Sequence, residues 1–322
     1  MDKYIVGVDL GGTRIRACLA DERGTILARA NRLTLAEEGL DAVLRRIVEA
    51  VREAIGKHKA SEITGLGITA PGPLDPKTGV IFTPPNLPGW HNVPLKAILE
   101  KELGLPVYAG NDANLAALGE RHFGAGQGVD DLIYITVSTG IGGGVIAGGK
   151  LLVGAAGAAA EVGHHTIDIH GPRCNCGNVG CLEVLAAGPA IARQAIAAIQ
   201  RGEETLMATL AQQAGDVVTA AHVTRAAHAG DAVAGRIMRQ VGEYIGVGVV
   251  NLLHLFNPRL VIIGGGVAMG AGELLFGPIR EMVQERAMEI YRPTRIVPAD
   301  LGDDVGLLGA VALVLTERAV QG

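Results

Sequence analysis

Glu161-Val-Gly-His164-His165-Thr-Ile-Asp-Ile-His-Gly-Pro-Arg-Cys174-Asn-Cys176-Gly-Asn-Val-Gly-Cys181-Leu-Glu183 is the most informative stretch of this chain. Three of the four cysteines fall between Cys174 and Cys181, and two histidines, His164 and His165, stand about ten residues upstream. Three thiolates and one imidazole fill a tetrahedral zinc shell and leave no open position for water, which marks a structural ion. His164 is the natural fourth ligand beside Cys174, Cys176 and Cys181. The Gly-Asn-Val-Gly between Cys176 and Cys181 lets the backbone fold tightly enough to bring the sulfurs onto one ion. Free thiols or a local disulfide are the alternatives. Cys174 and Cys176 are too close for an easy bridge, and nothing marks the chain as secreted.

The same stretch carries two carboxylates. Glu161 shares a turn with His164, and Glu183 lies just past the last cysteine. A knot clamping both ends would hold two carboxylates and an imidazole at fixed positions, as a polyhydroxylated ligand requires. Glu-x-Gly-His followed by Cys-x-Cys-Gly-x-x-Gly-Cys-x-Glu resembles the signature of the ROK family (repressors, open reading frames, kinases), whose enzymes phosphorylate hexoses.

Composition sets the outer limits. With 322 residues the chain is long enough for two subdomains sharing a cleft and too short for three ordinary domains. Hydrophobic residues make up 48% and charged ones 19%, which fits a globular protein with a large core. A net charge of −5 without a dense Lys/Arg cluster disfavours nucleic acid as a partner. The start, Met1-Asp2-Lys3-Tyr4, has neither a basic n-region nor an apolar h-region, so no signal peptide is expected. The longest uncharged run, Leu132 to Gly149, approaches membrane-spanning length. Its glycines beside Ser138 and Thr139 make it read as strand, turn, strand. No membrane segment is expected, and the cytosol is the expected location.

Tyr4 to Asp9 reads as a short apolar strand, followed by Leu10-Gly11-Gly12-Thr13. Ile15 to Ala20 and Thr25 to Ala30, around Asp21-Glu-Arg-Gly24, read as a hairpin. The Gly-Gly-Thr turn exposes amides and a hydroxyl to an oxyanion. Such turns join strands in many proteins; after a strand ending in Asp9 and before a hairpin, this one is similar to the first phosphate loop of actin/hexokinase-like ATPases. There is no Walker-type Gly-x-x-x-x-Gly-Lys-Ser/Thr. Leu40 to Ile55 has apolar residues at helical spacing. Ile63 to Thr69 is a buried strand running into Ala70-Pro71-Gly72-Pro73. Thr83 to Trp90 is a stiff, proline-rich loop that could be a mere surface connection. An Asn amide held on such a loop also reads sugar hydroxyls, and ROK glucokinases have a similar Asn-Leu-Pro-Gly-Trp.

Next, a strand ends at Asn111-Asp112 and a helix runs from Ala113 to Phe123. Asp at a helix start is most often an N-cap; the resemblance instead implies a sugar-binding Asn and a catalytic Asp. Leu132 to Ile146, broken by Ser138-Thr139-Gly140, repeats the opening pattern of strand, turn, strand. In the actin/hexokinase superfamily two such turns pinch the ATP phosphates from opposite sides. Pro189 to His228 is Ala-rich and helical, and Gly242 to Phe256 is a largely apolar helix. Leu260 to Ile263 is a strand, followed by Gly264-Gly265-Gly266 and a helix from Glu273. Those glycines either lie against a flat ligand or pack strand on helix. Arg295 to Pro298 is a short strand and Leu307 to Glu317 the final helix. Cys18 reads as a core residue, and His165 and His170 as structural.

The resemblance spans essentially the full length, with its motifs in family order. It implies an α/β fold of the actin/hexokinase-like (ribonuclease H-like) kind, with two duplicated α/β domains around a cleft and a structural zinc knot. The smaller domain would comprise residues 1–119 plus 304–322, and the larger 120–303, the last helix crossing back. The implied reaction moves the γ-phosphoryl group of Mg-ATP to the 6-hydroxyl of glucose, with Asp112 as general base. N-acetylglucosamine, N-acetylmannosamine, mannose and fructose stay open as acceptors. Gly72, Asn86, Asn111, Asp112, Glu161, His164 and Glu183 would hold the sugar. Asp9, Gly11, Gly12, Thr13, Arg14, Thr139, Gly140, Gly142 and Gly143 would serve the phosphates and their Mg²⁺, and Gly264, Gly265 and Gly266 the adenosine. Arg14 departs from the Lys that many members carry there. A ROK repressor would place a helix-turn-helix module before the first phosphate loop, and none is expected with Asp9 already in that loop. A homodimer or homotetramer is expected. A sugar- or ATP-binding regulator without catalysis is the other class of reading.

Overall fold

The computed structural model describes residues 3–84 and 86–321; Met1, Asp2, Gly322 and, in the proline-rich loop, Pro85 lie outside the described residues. Tyr4–Leu10 (β1) and Arg14–Asp21 (β2) pair antiparallel around the Gly-Gly-Thr turn, and Ile26–Leu33 (β3) extends the meander. Leu40–Ile55 (α1) has the bounds its apolar spacing predicts, and buries Val43, Ile47 and Val51. It stops at Gly56, where φ is 58° and the amide returns to the Arg52 carbonyl. Ile63–Ala70 (β4) then pairs parallel with β1. A small sheet of Leu74–Asp75 (β5), Val80–Ile81 (β6) and Val93–Pro94 (β7) leads into Leu95–Leu103 (α2). Val107–Asn111 (β8) pairs parallel with β4 and runs directly into Asp112–Phe123 (α3).

The second half repeats this plan. Leu132–Val137 (β9), Ile141–Ala147 (β10) and Lys150–Leu151 (β11) form an antiparallel meander. The helical region holds Leu182–Ala186 (α4), Gly188–Gln200 (α5), Met207–Ala214 (α6), Ala220–His228 (α7) and Ala232–Phe256 (α8). Leu260–Gly264 (β12), Gly266–Ala271 (α9), Glu273–Arg286 (α10), Arg295–Pro298 (β13) and Val305–Gln321 (α11) complete the chain. The two large sheets read β3-β2-β1-β4-β8 and β11-β10-β9-β12-β13, each three antiparallel strands followed by two parallel ones. This is the duplicated α/β architecture expected. The uncharged run from Leu132 is a hairpin, and no described helix is long and apolar enough to cross a membrane.

Two helices differ from the sequence reading. The apolar helix begins ten residues before Gly242, at Ala232, because Asp231 caps it by accepting the Ala234 amide at 2.9 Å. Charged Arg236 and Arg239 break the apolar run without breaking the helix. A short helix, α9, separates the glycine turn from α10, bracketed by Gly265 (φ 89°) and Gly272 (φ 54°).

Helices α3 and α11 lie between the sheets. On its outer face the first sheet carries α1 and α2, and on its inner face α11, where Leu307, Val311 and Val314 meet Ile5 and buried Cys18. The second sheet carries α4, α5, α8 and α10 outside, and α3 with α11 inside. Buried Glu120 of α3 accepts the amides of Ala125 (2.8 Å), Asp300 (3.0 Å) and Leu301 (3.0 Å), tying α3 to the segment that enters α11.

Glycines let this layer close up: a Cβ on Gly67 would stand 1.9 Å from the Ala310 carbonyl oxygen, and one on Gly309 2.3 Å from that of Leu115. Gly67→Ala is expected to push α11 off the sheet and cost about 1–3 kcal/mol. Thermal unfolding checks this, as a melting point lower by at least about 2 °C; an unchanged melting point would contradict such tight packing.

Candidate active site

The parallel strands β1, β4 and β8 end side by side. Their register sets Asp9 beside Thr69 and Ala70 beside Asn111, so the carboxyl ends of three strands present Asp9, Ala70-Pro-Gly72 and Asn111-Asp112 together. Ligands bind at such edges in open α/β sheets. Asn111, not Asp112, is the N-cap of α3: its Oδ1 accepts the amides of Ala113 (3.0 Å) and Asn114 (3.4 Å). Its Nδ2 faces Gly72, where a Cβ would stand 3.3 Å away. Asp112 occupies the first helical position, with Oδ1 2.7 Å from the Ala113 amide. Solvent reaches it through the cleft, yet protein surrounds it on its other sides. That enclosure raises its pKa above the usual carboxylate value, against the Ala113 amide and with a smaller push from the negative charge of Asp9.

Asp112 opens onto a cavity of about 560 Å³. Asn86, Asn111 and Asp112 line it from the first half, the Ser138–Gly143 turn from the second, and Glu161, His164 and Glu183 from the cysteine-rich stretch. Asn86 is exposed on a loop pinned by buried Leu87 and Trp90. Gly72 lies outside the lining of this cavity, behind Asn111. Gly11 and Thr13 lie outside its lining, and Gly12 sits behind Asn86, where a Cβ would stand 3.0 Å from the Asn86 Cβ. The first turn is held by its own bonds: the Gly11 amide donates to the Arg14 carbonyl (2.9 Å), and the Thr34 hydroxyl to the Gly11 carbonyl (2.7 Å).

The second turn is embedded in the cysteine-rich stretch. Glu183 Oε2 accepts the Ile141 amide at 2.9 Å, and a Cβ on Gly140 would stand 2.6 Å from that oxygen. A Cβ on Gly163 would stand 2.0 Å from the Ile141 carbonyl oxygen, and one on Gly143 2.6 Å from a Val162 methyl. Gly142 faces α3 at Ala113 instead. Ala160, just before Glu161, has φ 64°, a left-handed conformation that costs a non-glycine residue roughly 1 kcal/mol. Strain of this kind gathers at functional sites.

His164, Cys174, Cys176 and Cys181 converge, their ligand atoms all within 4.8 Å of one another. Cys176 Sγ lies 3.7 Å from Cys181 Sγ, and Cys174 Sγ 3.8 Å from His164 Nδ1. Sulfurs in a tetrahedral shell with Zn–S near 2.3 Å stand roughly 3.8 Å apart, so the four residues fit zinc. Gly177 (φ 95°) turns the chain so that its amide meets the Cys174 carbonyl at 2.9 Å. Gly180 is irreplaceable by volume, since a Cβ there would stand 1.5 Å from the Asp168 carbonyl oxygen. The amides of Ile167 and Leu182 pair with Gly180 and His165 (2.8 and 3.1 Å), joining the Glu161–His164 end to the Glu183 end.

A second cavity, about 590 Å³, shares Ser138 and Thr139 with the first and runs between α5, α7 and α9. Gly266 lines it; Gly264 and Gly265 do not. A Cβ on Gly264 would stand 2.7 Å from the Tyr134 hydroxyl, and one on Gly265 2.5 Å from the Val137 carbonyl oxygen, so those two pack β12 against β9. Thr224, Arg225 and His228 of α7 also line this cavity and escaped the sequence reading. Their helical spacing was the only signal, and it does not say which way the helix faces.

Asp9 has both oxygens engaged: Oδ2 takes Arg16 Nε at 3.0 Å, and Oδ1 the Thr69 hydroxyl at 2.8 Å. Arg16 also donates to the Asp303 carbonyl at 2.7 Å. With Arg16 and Thr69 already on its oxygens, Asp9 has lone pairs left for a water of a Mg²⁺ shell, not for the ion itself.

The ROK family profile matches residues 5–317. A glucokinase of Thermotoga maritima is 42% identical over 96% of each chain. A xylose repressor of Caldicellulosiruptor bescii is 35% identical over 97% of this chain and 78% of that one. A solved ROK glucokinase from Streptomyces griseus, in complex with glucose and AMPPNP, superposes with a TM-score of 0.81 at 38% identity, covering 99% of this chain and 100% of that one.

Proposed function

The chain belongs to the ROK family, and from that premise we propose that it is a hexose kinase that moves the γ-phosphoryl group of Mg-ATP to the 6-hydroxyl of glucose, with Asp112 as general base. The observation that carries the reading is the cavity in which Asn111-Asp112, the second glycine turn and the Glu161–His164–Glu183 group meet.

Asn86, Asn111, Glu161, His164 and Glu183 hold the sugar hydroxyls, while the apolar second cavity takes the adenosine and leaves the triphosphate at Ser138-Thr139. Thr139 and the amides around Gly140 and Gly142 face the phosphoryl oxygens, and the Gly11-Gly12-Thr13 turn, outside that lining, would join them on domain closure. The 6-hydroxyl oxygen bonds to the γ-phosphorus, the bond to the ADP oxygen breaks, and the hydroxyl proton passes to Asp112. Mg²⁺, when bound with ATP, supplies charge neutralisation. His164, Cys174, Cys176 and Cys181 would hold zinc, which would fix the sugar-binding face that the His164 ring lines. Closure of residues 1–119 with 304–322 onto 120–303 would exclude water that competes for the phosphoryl group.

The deciding experiment measures ADP formation with Mg²⁺ on glucose, mannose, fructose, N-acetylglucosamine and N-acetylmannosamine. Preference for glucose sustains the proposal, and activity on an N-acetylated sugar alone replaces the substrate. Silence on every sugar from folded, zinc-loaded protein removes the kinase reading.

The raised pKa of Asp112 fixes a pH dependence. A base works only when ionised, so kcat/KM is present above its pKa and lost as pH falls through it. Because enclosure and Asp9 raise that pKa, the acid limb is expected above the ordinary Asp value of about 3.9. A pH–rate profile checks this, and a limb at or below that value would contradict the assignment.

A further inference from the structure

A third cavity, about 310 Å³, adjoins the transfer point and has no part in the mechanism above. It shares Thr139 and Glu183 with the sugar cavity. Arg173 and Asn175 of the cysteine-rich stretch line one wall, and Arg193 of α5 another. Among the described residues neither arginine forms an ion pair. Each is anchored by one backbone carbonyl, Arg173 Nη1 on Gly177 at 3.2 Å and Arg193 Nη2 on Val184 at 2.7 Å. A guanidinium has five N–H donors, so most of each fork is left for a ligand. The one acid in the lining, Glu183, turns an oxygen to the Ile141 amide.

We propose that this cavity is an oxyanion subsite, in which Arg173 and Arg193 hold a phosphate group beside the phosphoryl-transfer point at Thr139. Two guanidinium forks match tetrahedral phosphate oxygens, and hydrogen bonds to charged groups are the strong ones. The volume admits a phosphate or a short phosphate chain but not a nucleoside triphosphate in addition to the adenosine cavity. The phosphate could arrive as the free anion or as the end of a longer chain, and both share this chemistry. The site leans on the kinase reading only for its neighbour, and its test needs no turnover.

The test is calorimetric titration of inorganic phosphate, and separately of tripolyphosphate, into zinc-loaded protein saturated with AMPPNP, so that the nucleotide cavity is already filled. Saturable binding is expected, weakened at least about tenfold in Arg173→Ala/Arg193→Ala. The dissociation constant for AMPPNP should stay within about twofold, since neither arginine lines the adenosine cavity. Tripolyphosphate binding at least about tenfold tighter than phosphate would identify the end of a chain as the natural ligand; equal affinities would identify the free anion. Absence of saturable binding, or binding indifferent to the double substitution, overturns the subsite. Arg173→Gln and Arg193→Gln, each removing one charge from an exposed position, carry the same test should the double variant fold poorly.

Discussion

Asp112→Asn is expected to lower kcat for sugar phosphorylation by about 10²–10⁴-fold while leaving the glucose dissociation constant within a few-fold of the parent. The amide keeps the shape of the carboxylate and its place at the start of α3, where the cap is made by Asn111. What it loses is the ability to take the proton from the 6-hydroxyl. The substitution also separates catalysis from stability. A carboxylate whose folded pKa is raised destabilises the fold at every pH above its unfolded pKa, so removing the charge should leave the melting point unchanged or higher. A rate loss with an intact melting point and intact sugar binding therefore isolates the proton transfer. Retention of more than about a tenth of the rate would remove Asp112 from the role of base. A rate loss that travels with a falling melting point would instead make it a structural cap.

The parts of this molecule written as local pattern were legible in the sequence. The helix over Leu40–Ile55 and the strand over Arg295–Pro298 have the bounds that their spacing predicts. The repeated strand–turn–strand units became the matching starts of two sheets with the same order. The convergence of His164, Cys174, Cys176 and Cys181 was legible for the same reason, because three of the four lie within one short turn and His164 is tied to them by backbone pairing.

Facts set by distant packing were not legible. Nothing near Asp9 announces that Arg16 occupies its carboxylate, although their cross-strand pairing follows once the hairpin register is known. Gly264 and Gly265 read first as adenosine contacts and only second as packing, and the positions of Tyr134 and Val137 reverse that order. The walls that α7 gives the second cavity depend on how a helix more than eighty residues from Ser138 docks, which no local spacing encodes. Glu120 looks like one more charged residue on an amphipathic helix, and its burial becomes clear only when the amides of Asp300 and Leu301 arrive from the far end of the chain.

Cys176→Ser should remove the metal and the sugar affinity together. Cys176 is the exposed member of the four ligands, so the substitution creates no cavity and any large effect must pass through the ion. Structural zinc contributes roughly 10–16 kcal/mol of apparent binding energy in small zinc-finger peptides, and a serine hydroxyl is a far weaker ligand than a thiolate. Here that energy would be spent on register. The segment holding Glu161 and His164 meets the segment leading to Glu183 through three backbone hydrogen bonds, a few side-chain bonds from Thr166 and Asn178, and the ligand cluster. Glu183 in turn sets the second glycine turn through the Ile141 amide. Without zinc those bonds compete with water alone, and the two carboxylates and the imidazole no longer share one geometry. Zinc content by atomic absorption should fall from about one per chain to near zero, with the glucose dissociation constant rising at least about tenfold. Cys18→Ala, in the core against α11, serves as the control and should leave zinc content unchanged. If metal is lost while sugar affinity stays, the knot holds itself together without orienting the site, and Glu161, His164 and Glu183 owe their positions to the packing of Gly140, Gly143 and Gly163 alone.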